Sequence, residues 1–201
     1  MSNRSNIKLR HKTVVIQFNR PEIRNPLSIF VLEELHEIIN KLAENPLVEN
    51  VVFTGRDDVF ASGADLREIA EITADTAREF ALRGQSLMNK IAALSQMTIA
   101  AVNGFCFGGA LDLALACDKR IAAPTAVFSH PGANLGIVTG WGGTQRLPRL
   151  VGEAKALEMF FTAKRVGAKE ALDIGLIDKI TENPIGEFAA NGGANISSIK
   201  L

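Results

Sequence analysis

The chain has 201 residues, of which 47% are hydrophobic, and this is enough to bury a core. Its 22 Lys and Arg residues balance its 22 Asp and Glu residues, so no net field attracts nucleic acid or an anionic membrane. Two cysteines form neither a disulfide framework nor a Cys/His cluster, which predicts no metal site and a reducing cytoplasm. The polar start and the lack of a long apolar run predict neither secretion nor membrane insertion.

Strand-like and helix-like patterns alternate along the chain. The run TVVIQF at 13–18 is rich in β-branched residues and ends at a turn-forming Asn-Arg-Pro. Ser28 can then cap a helix whose apolar residues recur at spacings of three and four. Similar patterns predict strands at 51–54, 98–102 and 120–128, helices at 73–94, 110–117, 153–163 and 169–174, and a connector at 142–152. This alternation predicts an α/β fold with parallel strands and active residues on the turns.

A first candidate site is the run of small residues at 61–64, just before a helical segment. Small side chains let a ligand approach the backbone closely, and exposed NH groups at such a turn can donate hydrogen bonds to an oxyanion. An ordinary tight turn with Asp65 as a helix cap explains the same residues.

A second glycine-marked turn leads from the strand at 98–102 into the apolar helix at 110–117. Gly108 and Gly109 lie at the N-terminus of this helix, where unpaired NH groups and the helix dipole stabilise negative charge. Asp112 is three residues further on, so we expect its carboxylate to point toward whatever the Gly109 NH binds. The alternative is a helix-start acid that only satisfies the dipole.

Two other kinds of site share this strand, turn and helix. The glycines do not have the GxGxxG spacing of a dinucleotide site. The stretch 104–108 matches a nucleophile elbow with Cys106 in place of serine, and Asp118 and His130 follow in hydrolase order. They follow too soon for the strands and helices that such a fold places between them. We therefore expect Cys106 to be a small buried apolar residue.

Four segments together resemble the crotonase (enoyl-CoA hydratase/isomerase) superfamily, and they occur in the same order. They are NRPEIRNPLS at 19–28, FASGADL at 60–66, AVNGFCFGGALDLALACD at 101–118 and GGTQRLPR at 142–149. The resemblance extends from about Val14 to Ile180. It implies a crotonase-like (ClpP/crotonase) spiral of ββα units, formed by a catalytic domain at 1–180.

The resemblance also implies a site for an acyl-CoA thioester. The backbone NH groups of Ala64 and Gly109 would form an oxyanion hole for the thioester enolate, with Asp112 as acid or base at the first of two family glutamate positions. Coenzyme A belongs to the substrate, and no separate cofactor is expected. The residues implied for its binding are Arg24, Ala64, Asp65, Leu66, Arg67, Gly108 and Pro131. Arginine suits phosphate because its planar fork donates two hydrogen bonds, although solvated surface arginines explain Arg24 and Arg67 equally well.

Two positions depart from the family pattern. The second glutamate falls on Gly132, and an acid used in some relatives falls near Gly140, so neither position carries a side chain. Hydratases need both glutamates for the water and the α-carbon proton, and the sequence therefore predicts slow or undetectable crotonyl-CoA hydration. His130 can act as a base near neutral pH, although a lone histidine is more often structural. Trp141 is expected to pack near the acyl pocket.

The final segment, 181–201, is rich in Asn, Gly, Ser and Ala, and predicts an irregular tail. Family members continue into helices that build a trimer or hexamer, and the resemblance indicates that these helices are missing here. A homo-oligomer remains the expectation. The leading hypothesis is a cytoplasmic hydratase/isomerase-type enzyme with Asp112 as the surviving acid or base. A non-catalytic acyl-CoA binding protein and a Cys106-dependent thioester hydrolase are the alternatives.

Overall fold

The computed structural model describes residues 13–189 and 196–201. The strands are β1 (Thr13–Gln17), β2 (Pro26–Leu27), β3 (Asn50–Thr54), β4 (Val59–Ala61), β5 (Gly63–Ala64), β6 (Met97–Val102), β7 (Phe105–Phe107), β8 (Lys119–Ala122), β9 (Val127–Ser129), β10 (Val166–Gly167), β11 (Lys179–Ile180) and β12 (Ile196–Lys200). The helices are α1 (Ile29–Ala43), α2 (Leu66–Ala70), α3 (Ala74–Ala92), α4 (Gly109–Ala116), α5 (Gly143–Val151), α6 (Glu153–Thr162), α7 (Ala168–Asp173) and α8 (Gly186–Ala189). Short 3-10 helices cover Pro21–Ile23 and Pro131–Leu135.

The fold has two main sheets, and the chain passes repeatedly from one to the other. The larger sheet has the order β11-β8-β6-β3-β1-β12, with every neighbouring pair parallel. The smaller sheet has the order β10-β9-β7-β4, and only β10 runs antiparallel to its neighbour. Each pass from β3 to β4, from β6 to β7 and from β8 to β9 adds one strand to each sheet. This confirms the α/β fold with parallel strands.

Burial explains the apolar strands of the large sheet. Val14 and Ile16 of β1 face the main core, whereas Val15 packs with Val52 and Ile99 on the opposite face. Strands covered on both faces need apolar residues at nearly every position, as parallel sheets usually show. The predicted first helix is also confirmed, since the Ser28 side chain accepts a hydrogen bond from the backbone NH of Val31 at the start of α1.

Two sequence-based assignments were wrong. The stretch 120–128 is not one strand, because a turn in which the Ala126 NH donates to the Ala123 carbonyl separates β8 from β9 and moves the chain from one sheet to the other. The stretch 142–152 is not a connector, because it contains α5. Pro148 lies inside this helix, and its flanking glycines at 142 and 152 lie just outside it.

The predicted irregular tail also differs from the structure. Within 181–201, the structure describes α8 and a strand, β12, that pairs in parallel with β1. The prediction of an irregular segment therefore fails at these residues, while 190–195 lie outside the described residues. Across 13–189 and 196–201, no helix is both long enough and apolar enough to cross a bilayer.

Candidate active site

A cavity of about 850 Å³ opens beside the N-terminus of α4. Its walls include residues of α2, α3, α5 and α6 and the 3-10 helix at Pro131–Leu135, and its lining is mostly apolar. Six of the residues predicted for the site lie in the lining: Ala64, Leu66, Gly108, Gly109, His130 and Pro131. An apolar cavity with a few converging polar groups is the usual form of a small-molecule site.

The two glycine-marked turns meet at the wall of this cavity. A β-carbon at Gly63 would lie 2.7 Å from the Gly109 nitrogen and 2.7 Å from the Phe107 carbonyl oxygen. Gly63 also has a φ of +89°, which side chains rarely adopt. Only glycine therefore allows the backbone before Ala64 to approach the start of α4 this closely.

The N-terminus of α4 has no side-chain cap. Gly108, the residue before the helix, has a φ of 54°, and its NH donates to the Ser129 carbonyl at 2.9 Å. The first NH groups of a helix have no partner within the helix and carry the positive end of its dipole. The Gly109 NH is one of these groups, and Gly109 lines the cavity.

Trp141 lies at the same wall of the cavity. Its side chain is buried, lines the cavity and packs against Phe80 with the ring centroids 5.7 Å apart. A β-carbon at Gly109 would overlap the indole ring. A bulky residue at Gly109 would therefore displace Trp141.

Asp112 does not point into the cavity. It is fully buried within α4 and is not among the lining residues, so the orientation expected from helical spacing differs from the structure. Its Oδ2 accepts a hydrogen bond from the hydroxyl of Thr139, which does line the cavity. Thr139 could not be predicted from the sequence, because no motif distinguishes this threonine from any other loop residue.

Burial changes the acidity of Asp112. Loss of water around the carboxyl group raises its pKa from 3.8 to about 7. The Thr139 hydroxyl, the backbone amides of Trp141 and Gly143 and the positive charge of Arg146 act in the opposite direction, but desolvation has the larger effect. Asp112 therefore exchanges a proton near neutral pH.

His130 lines the cavity and lies close to Asp112. Its Nε2 is 3.6 Å from Oδ1 of Asp112, and its ring packs on Phe160 with the centroids 5.1 Å apart. Burial lowers the pKa of His130 to about 4, so the imidazole is neutral near pH 7. Both ring nitrogens, and Oδ1 of Asp112, have no hydrogen-bond partner among the described residues.

Gly132 and Gly140, the two positions where relatives carry an acid, differ in the space available for a side chain. A β-carbon at Gly132 would come within 2.5 Å of the Ile137 carbonyl oxygen, whereas one at Gly140 would meet only the Ala81 β-carbon at 3.9 Å. Both glycines line the cavity. Gly132 is therefore fixed by backbone packing, and only Gly140 has room for a side chain.

The two candidate phosphate-binding arginines lie outside the cavity lining. Arg24 is exposed, and its carbonyl accepts the NH of Ser62 at 3.0 Å. Arg67 binds both carboxylate oxygens of Asp65, at 2.6 and 3.0 Å, and its side chain is 80% exposed. The carboxylate of Asp65 also accepts the Arg67 NH, so Asp65 caps α2.

Cys106 is a core residue on β7. Its side chain is fully buried and is not part of the cavity lining, and burial raises the pKa of its thiol well above the ordinary value. A thiol nucleophile has to be ionised and accessible. The structure therefore gives no support to the alternative of a Cys106-dependent hydrolase.

The sequence of the whole domain identifies its family. Residues 9–185 match the family described as enoyl-CoA hydratase/isomerase. The chain belongs to this family. Membership explains why the glycine-marked turns, the buried α4 and the two parallel sheets occur together.

Named relatives within the enoyl-CoA hydratase/isomerase family are close in sequence. A crotonyl-CoA hydratase of Syntrophomonas wolfei is 41% identical over 177 residues, which are 88% of this chain and 68% of that protein. A short-chain-enoyl-CoA hydratase of Clostridium acetobutylicum is 40% identical over 172 residues, covering 85% and 66% of the two chains. The chain thus spans about two thirds of the length of these relatives.

Solved structures of the family confirm the crotonase-like fold class. An enoyl-CoA hydratase from Bacillus anthracis superposes with a TM-score of 0.81 and 38% identity, and the match covers 85% of this chain and 66% of that one. The spiral of ββα units predicted from the resemblance is therefore the architecture of the matched region.

Proposed function

We propose that this chain binds acyl-CoA thioesters and stabilises their enolate, as an enzyme of the hydratase/isomerase type. The observation that carries the proposal is the close approach of the Ala64 turn to the start of α4, at the wall of one apolar cavity. In this arrangement the NH groups of Ala64 and Gly109 donate to the thioester oxygen. Each such donor contributes roughly 3 kcal/mol to the stability of a developing oxyanion. Crotonyl-CoA hydratase is the name of one relative, which fits this chemistry.

The acid or base in this proposal is Asp112. Its proton is exchangeable near neutral pH because burial raises its pKa to about 7. Gly132 and Gly140 supply no second carboxylate. Addition of water to a double bond needs two proton transfers, whereas enolate formation needs one. We therefore propose isomerisation or α-proton exchange as the main chemistry, with slow hydration.

Coenzyme A is held outside the cavity in this proposal, with Arg24 and Arg67 near its phosphates and no separate cofactor. Arg67 already forms a bidentate pair with Asp65, so its guanidinium is oriented before a ligand arrives. Both cysteines are free and buried, which suits a reducing cytoplasm. Assembly as a homo-oligomer, a trimer or hexamer as in the family, completes the proposal and is tested by light scattering.

The decisive experiment compares two ligands that differ only in the carbonyl oxygen. Butyryl-CoA has the thioester, and its thioether analogue S-butyl-CoA lacks the oxygen. Calorimetric titration should give butyryl-CoA an affinity about 30-fold higher, since two hydrogen bonds of about 1 kcal/mol each contribute about 2 kcal/mol together. Equal affinities would remove the oxyanion hole from the proposal. Loss of enoyl absorbance with crotonyl-CoA then measures hydration directly.

A non-catalytic acyl-CoA binding protein is the second candidate. It is favoured by one observation, that no carboxylate lies in the lining of the cavity within the described residues. Both candidates predict thioester binding. Incorporation of deuterium into butyryl-CoA in D₂O separates them, because only a catalyst removes and returns the α-proton.

A further inference from the structure

One side chain in the cavity lining can gain or lose a proton near the physiological range. Among the described residues that line the cavity, His130 is the only one with a titratable side chain, and the other polar side chains are Ser62, Thr139, Trp141 and Thr144. Asp112, the acid of the proposed function, is fully buried behind this wall. A proton from Asp112 therefore needs an intermediate group to reach a ligand.

His130 and Asp112 lie side by side, but no hydrogen bond joins them. Nε2 of His130 lies 3.6 Å from Oδ1 of Asp112, which is too long for a hydrogen bond but within reach of a small ring rotation. Neither atom has a hydrogen bond of good geometry among the described residues, although the backbone amides of Trp141 and Gly143 lie close enough to the Asp112 carboxylate to lower its pKa. Buried polar groups are nearly always paired, and catalytic hydrogen bonds are often long before a ligand binds. Both facts indicate that the distance between Nε2 of His130 and Oδ1 of Asp112 shortens to a hydrogen bond when a ligand binds.

We propose that His130 is the acid–base residue that meets the acyl group, and that Asp112 is a positioning residue that acts through it. Asp112 holds the imidazole proton on Nε2, which leaves the lone pair on Nδ1 without a proton. Nδ1 is buried in the unliganded protein, so the same ring rotation that closes the Nε2–Oδ1 contact has to bring Nδ1 to the ligand. This inference rests on the proposed function, because it takes the acyl-CoA thioester as the ligand. It differs from the two-glutamate mechanism implied by the family resemblance.

The proton transfer is then as follows. The lone pair of Nδ1 forms an N–H bond with the α-hydrogen of the thioester, and the C–H electron pair becomes the double bond between the α-carbon and the carbonyl carbon. The carbonyl π electrons move to oxygen, which becomes the enolate oxyanion. The imidazolium that forms lies beside the Asp112 carboxylate. Return of the proton from Nδ1 to carbon restores neutral His130.

The electrostatic surroundings support this division of roles. Burial raises the pKa of Asp112 to about 7 and lowers that of His130 to about 4. Above neutrality the pair is therefore a carboxylate beside a neutral imidazole, which is the form that can accept a proton. Among the other ionisable groups, Arg146 on α5 lowers the pKa of Asp112, and the charge of Asp112 raises the pKa of the Cys106 thiol on β7. Thr139 also contacts Asp112, but its hydroxyl cannot store a proton near this pH.

The test is deuterium incorporation into butyryl-CoA in D₂O, followed by mass spectrometry. His130→Gln should slow exchange by about 10²-fold or more, as expected for loss of an acid–base group, while calorimetry shows that butyryl-CoA still binds. Asp112→Asn should slow exchange less and abolish its rise through about pH 7. His36→Gln is the matched control, because His36 lies on α1 outside the cavity lining and bonds the Arg83 carbonyl. It should exchange as wild type does.

The same experiment separates the failure of this inference from that of the proposed function. If wild-type protein binds no butyryl-CoA, the proposed function fails. If it binds but does not exchange, the catalytic part of the proposed function fails and this inference fails with it. If wild type exchanges and His130→Gln exchanges at the same rate, this inference alone is wrong. Imidazole ¹⁵N NMR of wild type provides a test that needs no folded His130 variant. We expect the Nε2–H tautomer of His130, with shifts that titrate near pH 7 and lose this titration in Asp112→Asn. The Nδ1–H tautomer would overturn the inference.

Discussion

The indole of Trp141 packs against the backbone of Gly84 in the middle of α3. A β-carbon at Gly84 would overlap the indole ring, and Gly84 is buried. Glycine lowers helix stability in a helix interior, and here its missing side chain leaves the space that the indole ring occupies. Because the same ring also covers Gly109, Trp141 connects α3 to the start of α4.

Gly84→Ala should therefore destabilise the protein. Helix propensity alone favours alanine by about 1 kcal/mol, but overpacking against the indole costs about 1–3 kcal/mol, so we expect a net loss in the free energy of unfolding. Urea denaturation measures it. Gly140→Ala is the matched control, because its β-carbon would have ample space, and it should change stability by less than about 0.5 kcal/mol. A stabilised Gly84→Ala protein would contradict this packing.

Replacement of the missing acids should succeed at one position only. The second glutamate position of the family falls on Gly132, so Gly132→Glu is the direct replacement, but a β-carbon there would lie 2.5 Å from the Ile137 carbonyl oxygen. We expect Gly132→Glu to lower the melting temperature without raising hydration. Gly140→Glu should fold and increase crotonyl-CoA hydration by about tenfold or more, below the full effect of a well-placed acid. Faster hydration by Gly132→Glu than by Gly140→Glu would contradict this prediction. It would show that the Pro131–Leu135 segment can shift to accept a side chain.

Asp112→Asn should change how stability depends on pH. Burial raises the pKa of Asp112 from 3.8 to about 7, so between these values the folded protein holds a proton that the unfolded chain has lost. Stability therefore falls as pH rises through this window, by about 4 kcal/mol in all. Asparagine cannot titrate, and the variant should gain about 2–3 kcal/mol relative to wild type between pH 5 and pH 8. A difference that does not change with pH in urea denaturation would contradict the burial effect.

Removal of the two arginines should weaken binding of coenzyme A. We expect Arg24→Ala and Arg67→Ala to lower CoA affinity, more strongly at low salt because screening is weaker. The loss should be larger for Arg67→Ala, since it also leaves the Asp65 carboxylate without its partner. Acyl-pantetheine, which lacks the nucleotide, should bind as before. Lys41→Ala removes a charge from α1, where Lys41 is 63% exposed, and should have no effect. Equal losses for both ligands would assign the arginines to folding.

Local chemistry was enough to predict much of this fold. Three elements could be predicted from neighbouring residues alone, and the structure shows all three. They are β1 with its β-branched residues, α1 with its Ser28 cap and leucine spacing, and α2, which follows the small residues before Asp65. The apolar residues on nearly all sides of 110–117 indicate a buried helix, but the orientation predicted for Asp112 followed from helical spacing alone. Helical spacing gives a residue's direction, but α4 is buried nearly all round, so its carboxylate is buried in any direction.

The remaining features depend on contacts between distant segments. Thr139 and Trp141 reach Asp112 and Gly109 from a loop that follows β9 and the 3-10 helix. Whether a glycine tolerates a side chain depends on such neighbours, as Gly132 and Gly140 show. A single sequence contains no record of these distances, and the pair of His130 with Asp112 was therefore not predicted from it.

The position of Trp141 has a spectroscopic consequence. It is the only tryptophan in the sequence, and the chain has no tyrosine, so near-ultraviolet fluorescence of the protein arises almost entirely from one indole. That indole is buried and lies at the wall of the cavity beside Gly109. Its emission reports the polarity at this point without contribution from other parts of the molecule. Occupancy of the cavity can thus be followed in the unlabelled protein, even for ligands that undergo no reaction.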